Sequence, residues 1–316
     1  MKLKGKVILK VSQMDGDHDL WLEMRNKGIG GSEVASIVGL NPWKSAYELW
    51  LEKTGRIEVA DLSNNESVEW GIKLEELVAE KFCEVTGKKV RRQGMIQDED
   101  VPYFFANIDR ALIGDETAGL ECKTTNAYSK NEWKDDQVPA HYICQCQWYM
   151  GITGATHWWI AVLIGGNHFV YKKIERNEED IKALRDAAKD FWYKVQNDIM
   201  PEVDDSSTCS EALDERYKGV PGTETELPSE AGELINNYFE LQATKKELGK
   251  QETFIKNKLK SLLGDNEVGR YNDYKVTWKE QAGRVSLDTK MLESEHPDIY
   301  AKYLRIGNPT RTMRIK

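Results

Sequence analysis

Three side chains near the middle of this sequence could together hold a cation and polarise a water molecule. They are Asp109 in ANIDRALI, and Glu121 and Lys123 in GLECKTTN. Period-two alternation puts Glu121 and Lys123 on one face of a strand, with Leu120 and Cys122 on the other. Taken alone, Glu-x-Lys describes the exposed face of a half-buried strand with a local ion pair. Asp109 changes that reading. The segment around it, YFFANIDRALI, also reads as a strand, and the turn-rich GDET between the two predicts a hairpin. Pairing would bring Asp109, Glu121 and Lys123 to adjacent positions on one face. Two close carboxylates repel, and both stay ionised mainly when a cation sits between them. Oxygen-only ligands suit Mg²⁺ or Mn²⁺. A neighbouring ammonium can then orient a water or stabilise charge developing on a phosphoryl oxygen.

The elements that must position these residues read as a mixed α/β core. Leu20–Met24 and Ser32–Val38 look helical, the second opened by Ser32 as a cap after GIGG, and Ser45–Lys53 follows. ESVEWGIKLEELVAEKFCEVTG predicts a helix with Trp70, Leu74, Leu77, Val78 and Phe82 on one stripe and Gly87 as its stop. AHYICQCQWYMGITG predicts another helix, and THWWIAVLIGG with HFVYKKIE a second hairpin. Residues 1–200 hold nearly all the tryptophan and the strongest strand signals and form the first domain. Residues 201–228, rich in acids, Ser, Thr, Gly and Pro, read as a linker or long loop. Residues 229–316 predict a helical hairpin or long helix, closed by Gly264, followed by a small strand-containing region. There YKVTWKEQ offers a strand to the tail TRTMRIK. The last sixteen residues carry Lys302, Arg305, Arg311, Arg314 and Lys316 and no acid. They suggest either a nucleic-acid contact or a strap on an acidic surface.

Composition narrows the function classes. A chain of 316 residues that is 40% hydrophobic and 31% charged is ordinary for a globular protein, and no apolar run approaches spanning length. MKLKGKVILK lacks the apolar core of a signal peptide. Five cysteines, an odd number, fit a reducing compartment. Cys144 and Cys146 have no second pair at metal-site spacing, so a zinc or iron–sulfur site is not expected. The net charge of −9 excludes a generally basic nucleic-acid binder and leaves room for a local basic groove. There is no phosphate-cradling Walker sequence, and no ATP is expected. His141, His157 and His168 have no ligand spacing and read as structural. Trp43, Trp50, Trp148, Trp158 and Trp159 read as core.

Asp109 with Glu-x-Lys is the PD-(D/E)xK pattern, and five separate blocks, these two among them, make the likeness specific. WLEMRNKGIGGSEVASIVGLNPWKSAYELWLEKTG, WGIKLEELVAEKF, NIDR, ECK and QCQWYMGITG occur in the order and spacing that resemble the YqaJ-like viral recombinase family. That family includes the lambda-type alkaline exonucleases, and the resemblance spans about residues 18–200. It implies a restriction-endonuclease-like core, a mixed central sheet flanked by helices. It implies Asp109 and Glu121 as metal ligands, joined by the Cys122 backbone carbonyl and by Glu75 from the preceding helix. Lys123 resembles the catalytic lysine. Gln145 and Tyr149 match the Q-x-x-x-Y element of RecB-type nucleases, Gln145 beside the catalytic group and Tyr149 toward DNA. Arg25 and Ser32 match residues near the 5′-phosphate of a DNA end.

Two positions depart from the pattern. Asn107 stands where the lambda-type enzymes have Ser and could still donate to a phosphate oxygen, and Ile108 stands in place of the proline. The implied activity is Mg²⁺-dependent exonuclease action, with two ions and Mn²⁺ able to substitute. One strand of duplex DNA is removed from its 5′ end to expose a 3′ single strand for recombination. The implied setting is the cytoplasm of a bacterial cell, with the chain phage- or prophage-encoded. The implied partners are DNA ends, further copies in a ring-shaped trimer, and a single-strand annealing protein. Two alternatives stay open from the residues: an endonuclease or RecB-like nuclease on the same core, and a DNA-end-binding module without catalysis.

Overall fold

The chemistry-bearing segments lie on or beside one five-stranded sheet of the computed structural model, which describes residues 3–59, 65–114, 116–307 and 311–315. The first of two units, Met1–Lys218, begins with β1 (Lys6–Leu9), α1 (Val11–Gly16), α2 (His18–Asn26), α3 (Gly31–Ile37), α4 (Ala46–Lys53) and α5 (Glu66–Thr86). It continues with β2 (Lys89–Arg92), β3 (Met95–Gln97), β4 (Phe105–Ala106), β5 (Arg110–Ile113), β6 (Ala118–Thr125) and a 3₁₀ turn, Ala127–Trp133. It ends with α6 (Ala140–Thr153), β7 (His157–Ile164), β8 (His168–Glu175), α7 (Glu178–Gln196) and α8 (Ser207–Arg216). The main sheet runs β2-β5-β6-β7-β8, and β1-β3-β4 form a smaller one. In the main sheet β6 and β7 are parallel and the other neighbours antiparallel. A parallel pair needs a crossover, and α6 is that crossover. This is the mixed sheet flanked by helices that the sequence leads one to expect.

Alternation along β6 sorts its side chains as read from the sequence. Leu120 and Cys122 pack with Val78, Ala79 and Phe82 of α5 and with Ala161 of β7. α5 is opened by Asn65, whose side chain accepts from the Ser67 and Val68 N–H groups, and closed by Gly87 at φ 69°, a left-handed position suited to glycine. Its buried face is narrower than the expected stripe. Trp70 and Leu77 are more than half exposed, while Val78, Ala79 and Phe82 face the sheet. Trp43 is likewise 64% exposed and not core, whereas Trp50, Trp148 and Trp158 are fully buried.

The single strand expected across YFFANIDRALI is broken. β4 belongs to the small sheet and β5 to the main one, and residues 107–109 pass between them. The β5–β6 hairpin does form, with Arg110 opposite Leu120 and Ala111 opposite Gly119. Residues 201–228 are not all linker. α8 lies inside them, with Cys209 and Ala212 buried, because this short helix packs on α4.

The second unit, Gly219–Lys316, has α9 (Glu230–Leu263), β9 (Val268–Tyr271), β10 (Tyr274–Thr277), α10 (Thr289–Glu295) and α11 (Pro297–Tyr303). α9 is one continuous helix, not a hairpin. β9 and β10 pair through a two-residue turn with Asn272 at φ 50°, a conformation asparagine tolerates. Leu263 is buried at the helix end, beside Gly269, where a β-carbon would stand 2.8 Å from its Cδ2. Residues 311–315 form no strand, so YKVTWKEQ pairs with β9 and not with the tail, and residues 308–310 and 316 lie outside the described residues. Among the described residues no helix is long and apolar enough to cross a membrane.

Candidate active site

A cavity of about 180 Å³ opens on the face of β6 opposite α5. Its walls include Arg25, Ser32, Asn107, Asp109, Glu121, Lys123, Gln145 and Tyr149. Eight of the residues singled out from the sequence thus converge, from α2, α3, the 107–109 passage, β6 and α6.

Asp109 sits one residue before β5, level with Glu121 on the next strand. Its Oδ2 accepts the Cys122 N–H at 2.7 Å, which fixes the carboxylate against the strand. The Glu121 side chain is 2% exposed. Its Oε1 accepts from Gln145 Nε2 at 2.7 Å and lies 2.6 Å from Lys123 Nζ. Its Oε2 is buried with no hydrogen-bond partner. Burial pushes the Asp109 carboxyl well above the ordinary carboxylate range, and the Glu121 charge pushes it further. Burial also raises Glu121, against the opposing pull of Lys123. Burial alone would lower the Lys123 ammonium, but Glu121 and Asp109 outweigh it, so the lysine is held above its usual value and stays charged.

α6 supplies the opposite wall. Gln145 also donates to the Tyr149 hydroxyl at 2.8 Å, one turn along the helix, and Tyr149 donates to the Asn107 carbonyl at 2.7 Å. Glu121, Gln145, Tyr149 and the 107–109 passage are therefore one hydrogen-bonded chain. The Asn107 Oδ1 is buried without a partner. Tyr142, on the same helix, lies with its ring 5.1 Å below Lys123 Nζ. Burial, with Lys123 nearby, draws His141 down to about 4, so this imidazole is neutral at ordinary pH.

The third wall is the turn into α3. Ser32 is not the cap of that helix. Gly30 is, and its N–H donates to Glu33 Oε2 at 2.8 Å, freeing the Ser32 hydroxyl to accept from Arg25 Nη2 at 3.1 Å. Arg25 lies over the Trp21 ring at 4.8 Å. Glu33 is nearly buried, and Lys53 Nζ, 1% exposed, stands 2.8 Å from it and donates to the Arg25 carbonyl at 2.9 Å. Burial works to raise Glu33, yet Lys53 and Arg25 hold it below the ordinary range. Gly31 is required here, because a β-carbon would fall 2.4 Å from Tyr149 Cε1.

Glu75 does not line the cavity. It pairs with Arg110, which also donates to Glu76 at 2.8 Å. Arg110 is 3% exposed on the α5 face. Sequence reading missed Arg110, Glu33, Lys53 and Gly31. The signal for Arg110 was its place next to Asp109 in an alternating strand, which sends an arginine to the apolar side. Lys53 and Glu33 carried no local signal, being twenty residues apart.

The residues present fit a divalent cation. One buried and one half-buried carboxylate converge, one oxygen lacks a donor, and the donors are hard oxygens, as Mg²⁺ and Mn²⁺ require. Among the described residues no group of three or more His, Cys, Asp or Glu converges on a point. A cation held here would rely on Asp109, Glu121 and main-chain oxygen, with water or substrate oxygen completing its shell.

Residues 20–156 match the YqaJ-like viral recombinase domain. The chain is 39% identical over 304 residues to the uncharacterized protein YqaJ of Bacillus subtilis strain 168, spanning 95% of this chain and 94% of that one. Its fold is similar to that of the alkaline exonuclease LHK-Exo from Laribacter hongkongensis, with a TM-score of 0.50 at 20% identity over 57% of this chain and 94% of that one. The same enzyme in complex with dAMP gives 0.50 at 21% identity over the same shares. The blocks around the cavity, the fold beneath it and the length of the match agree, and the chain belongs to the YqaJ-like viral recombinase family.

Proposed function

We propose that this chain is a divalent-metal-dependent deoxyribonuclease that acts at the ends of duplex DNA. It removes nucleotides from the 5′ end of one strand and leaves a 3′ single strand for an annealing protein to use. The observation that carries the reading is the convergence of half-buried Asp109 and buried Glu121, with Lys123 bonded to Glu121, in one cavity with the Arg25–Ser32 pair. The fold likeness to an alkaline exonuclease supports the same chemistry.

Asp109, Glu121 and the Cys122 carbonyl would hold the cation, Mg²⁺ or Mn²⁺. When bound it would polarise the attacking water and neutralise phosphoryl charge. Lys123 is charged and cannot take the water's proton. Its role is to orient the water and to neutralise the pentacovalent phosphorus group as negative charge builds on the non-bridging oxygens. Gln145 fixes the Glu121 carboxylate, and Tyr149 fixes Gln145. Glu75 acts one step back, holding Arg110 under the strand. Arg25, presenting guanidinium N–H groups beside the Ser32 hydroxyl, is placed to receive a terminal 5′-phosphate, and Asn107 to contact the next phosphate.

End-labelled linear duplex and closed circular DNA, titrated with Mg²⁺, test the proposal. Mg²⁺-dependent loss of label from the linear form alone is the expected result, and Glu121→Gln should abolish it while the protein stays folded. Cutting of the closed circle would favour an endonuclease, and binding of ends without cleavage an end-binding module.

A further inference from the structure

Along α9 a leucine or isoleucine recurs every seventh residue through five heptads, at Leu234, Leu241, Leu248, Ile255 and Leu262. A strict seven-residue repeat keeps a narrow apolar seam on one side of a helix, and a seam sustained this long marks a coiled coil. All five side chains are more than half exposed, from 56% at Ile255 to 84% at Leu262. The other seam position is filled by Tyr238, Lys245, Glu252 and Leu259. At mid-helix Leu241, Lys245, Leu248 and Glu252 border one hollow beside Gly249, which has no side chain to fill it. A glycine there weakens the helix, and a single helix gains most of its stability from packing its apolar side.

Charge selects the occupant. Residues 230–243 carry three glutamates and no base, whereas residues 244–263 carry six lysines and two glutamates. A second copy laid parallel would stack acid on acid and base on base, and would oppose Lys245 to Lys245 and Glu252 to Glu252 inside the seam. Laid antiparallel, it sets the acidic half against the basic half and brings Lys245 within about one turn of the other copy's Glu252. Acid first and base last also suits the helix dipole, but the dipole does not call for leucine at every seventh residue. We propose that α9 is a dimerisation helix, pairing antiparallel with α9 of a second copy about a centre between Lys246 and Glu247. The inference stands apart from the nuclease reading.

The full chain carries the test. The Leu241→Glu/Leu248→Glu double variant should halve the mass measured by sedimentation equilibrium, whatever association the first unit contributes. Independently, nitroxide labels can be placed at Asn236→Cys or Ala243→Cys in a Cys83→Ser background, since the other four cysteines are buried. At 1.5 Å rise per residue, antiparallel pairing separates the two labels of a dimer along the axis by roughly 30 Å at 236 and roughly 10 Å at 243. A clearly longer distance at 236 than at 243 supports the proposal. Equal distances at both sites would show parallel pairing and overturn it. So would the absence of any inter-label distance together with an unchanged mass in the double variant.

Discussion

If Asp109 and Glu121 hold the cation as proposed, its binding is a proton-release reaction. Burial raises both carboxyls, so the metal-free pair keeps a proton to a higher pH than ordinary carboxylates do, and a cation must displace it. Mn²⁺ affinity should therefore rise with pH from the ordinary carboxylate range up to the raised one, then level off. Without a cation the native state holds more protons than the unfolded chain across that window, so its stability should fall as pH rises through it. Calorimetry in buffers of different ionisation enthalpy would count the protons released. A pH-independent affinity would exclude the pair as the cation site. In Glu121→Gln the slope should flatten and affinity should drop by more than roughly tenfold. Arg25 makes a separate prediction. A charge-assisted contact to a terminal phosphate contributes about 1.5–3 kcal/mol. Arg25→Ala should thus slow digestion of 5′-phosphorylated ends by on the order of tenfold or more and leave 5′-hydroxyl ends nearly unchanged. Equal slowing of both would show that Arg25 does not read the phosphate.

At the scale of elements, α3 and α6 meet where Gly31 touches the Tyr149 ring, and that contact holds the cavity's shape. Gly31→Ala should cost about 1–3 kcal/mol by overpacking. It should also reduce cleavage at temperatures where the protein remains folded, because a displaced Tyr149 releases both Gln145 and the Asn107 carbonyl. A thermal melt beside single-turnover cleavage separates the two effects. The helices and strands around this contact were legible because their signals are local. Alternation placed Glu121 and Lys123 opposite Leu120 and Cys122, and helical spacing put Gln145 and Tyr149 on one face. What stayed hidden depends on pairs far apart in the chain. The break between β4 and β5 arises because the two halves of one apolar stretch join different sheets. Ser32 looks like a cap until Glu33 is seen to take the Gly30 N–H. Glu75 reads as a lone carboxylate on α5 until Arg110, buried beneath the strand, is seen to pair with it.

At the scale of the molecule, the two units meet in sequence at residues 218–229, which are exposed throughout. Trypsin should cut at Lys218 under mild conditions. The resulting 1–218 fragment should stay folded and retain metal-dependent cleavage, since every residue lining the cavity belongs to it. Mass spectrometry of the digest and an activity assay on the fragment would check this, and an unfolded or inactive fragment would show that the second unit is needed for the site. The parallel pairing of β6 with β7 also sets a timetable. Asp109 and Glu121 come from a hairpin whose strands are near neighbours and can close early, as a chain emerges from synthesis. Gln145 and Tyr149 arrive only when the crossover has been made and β7 has docked, a slower event because a longer loop must close. A nascent or half-folded chain is thus expected to bring its acids together before it has the wall that orients them. Competence for cleavage is therefore expected to be the last property this site acquires.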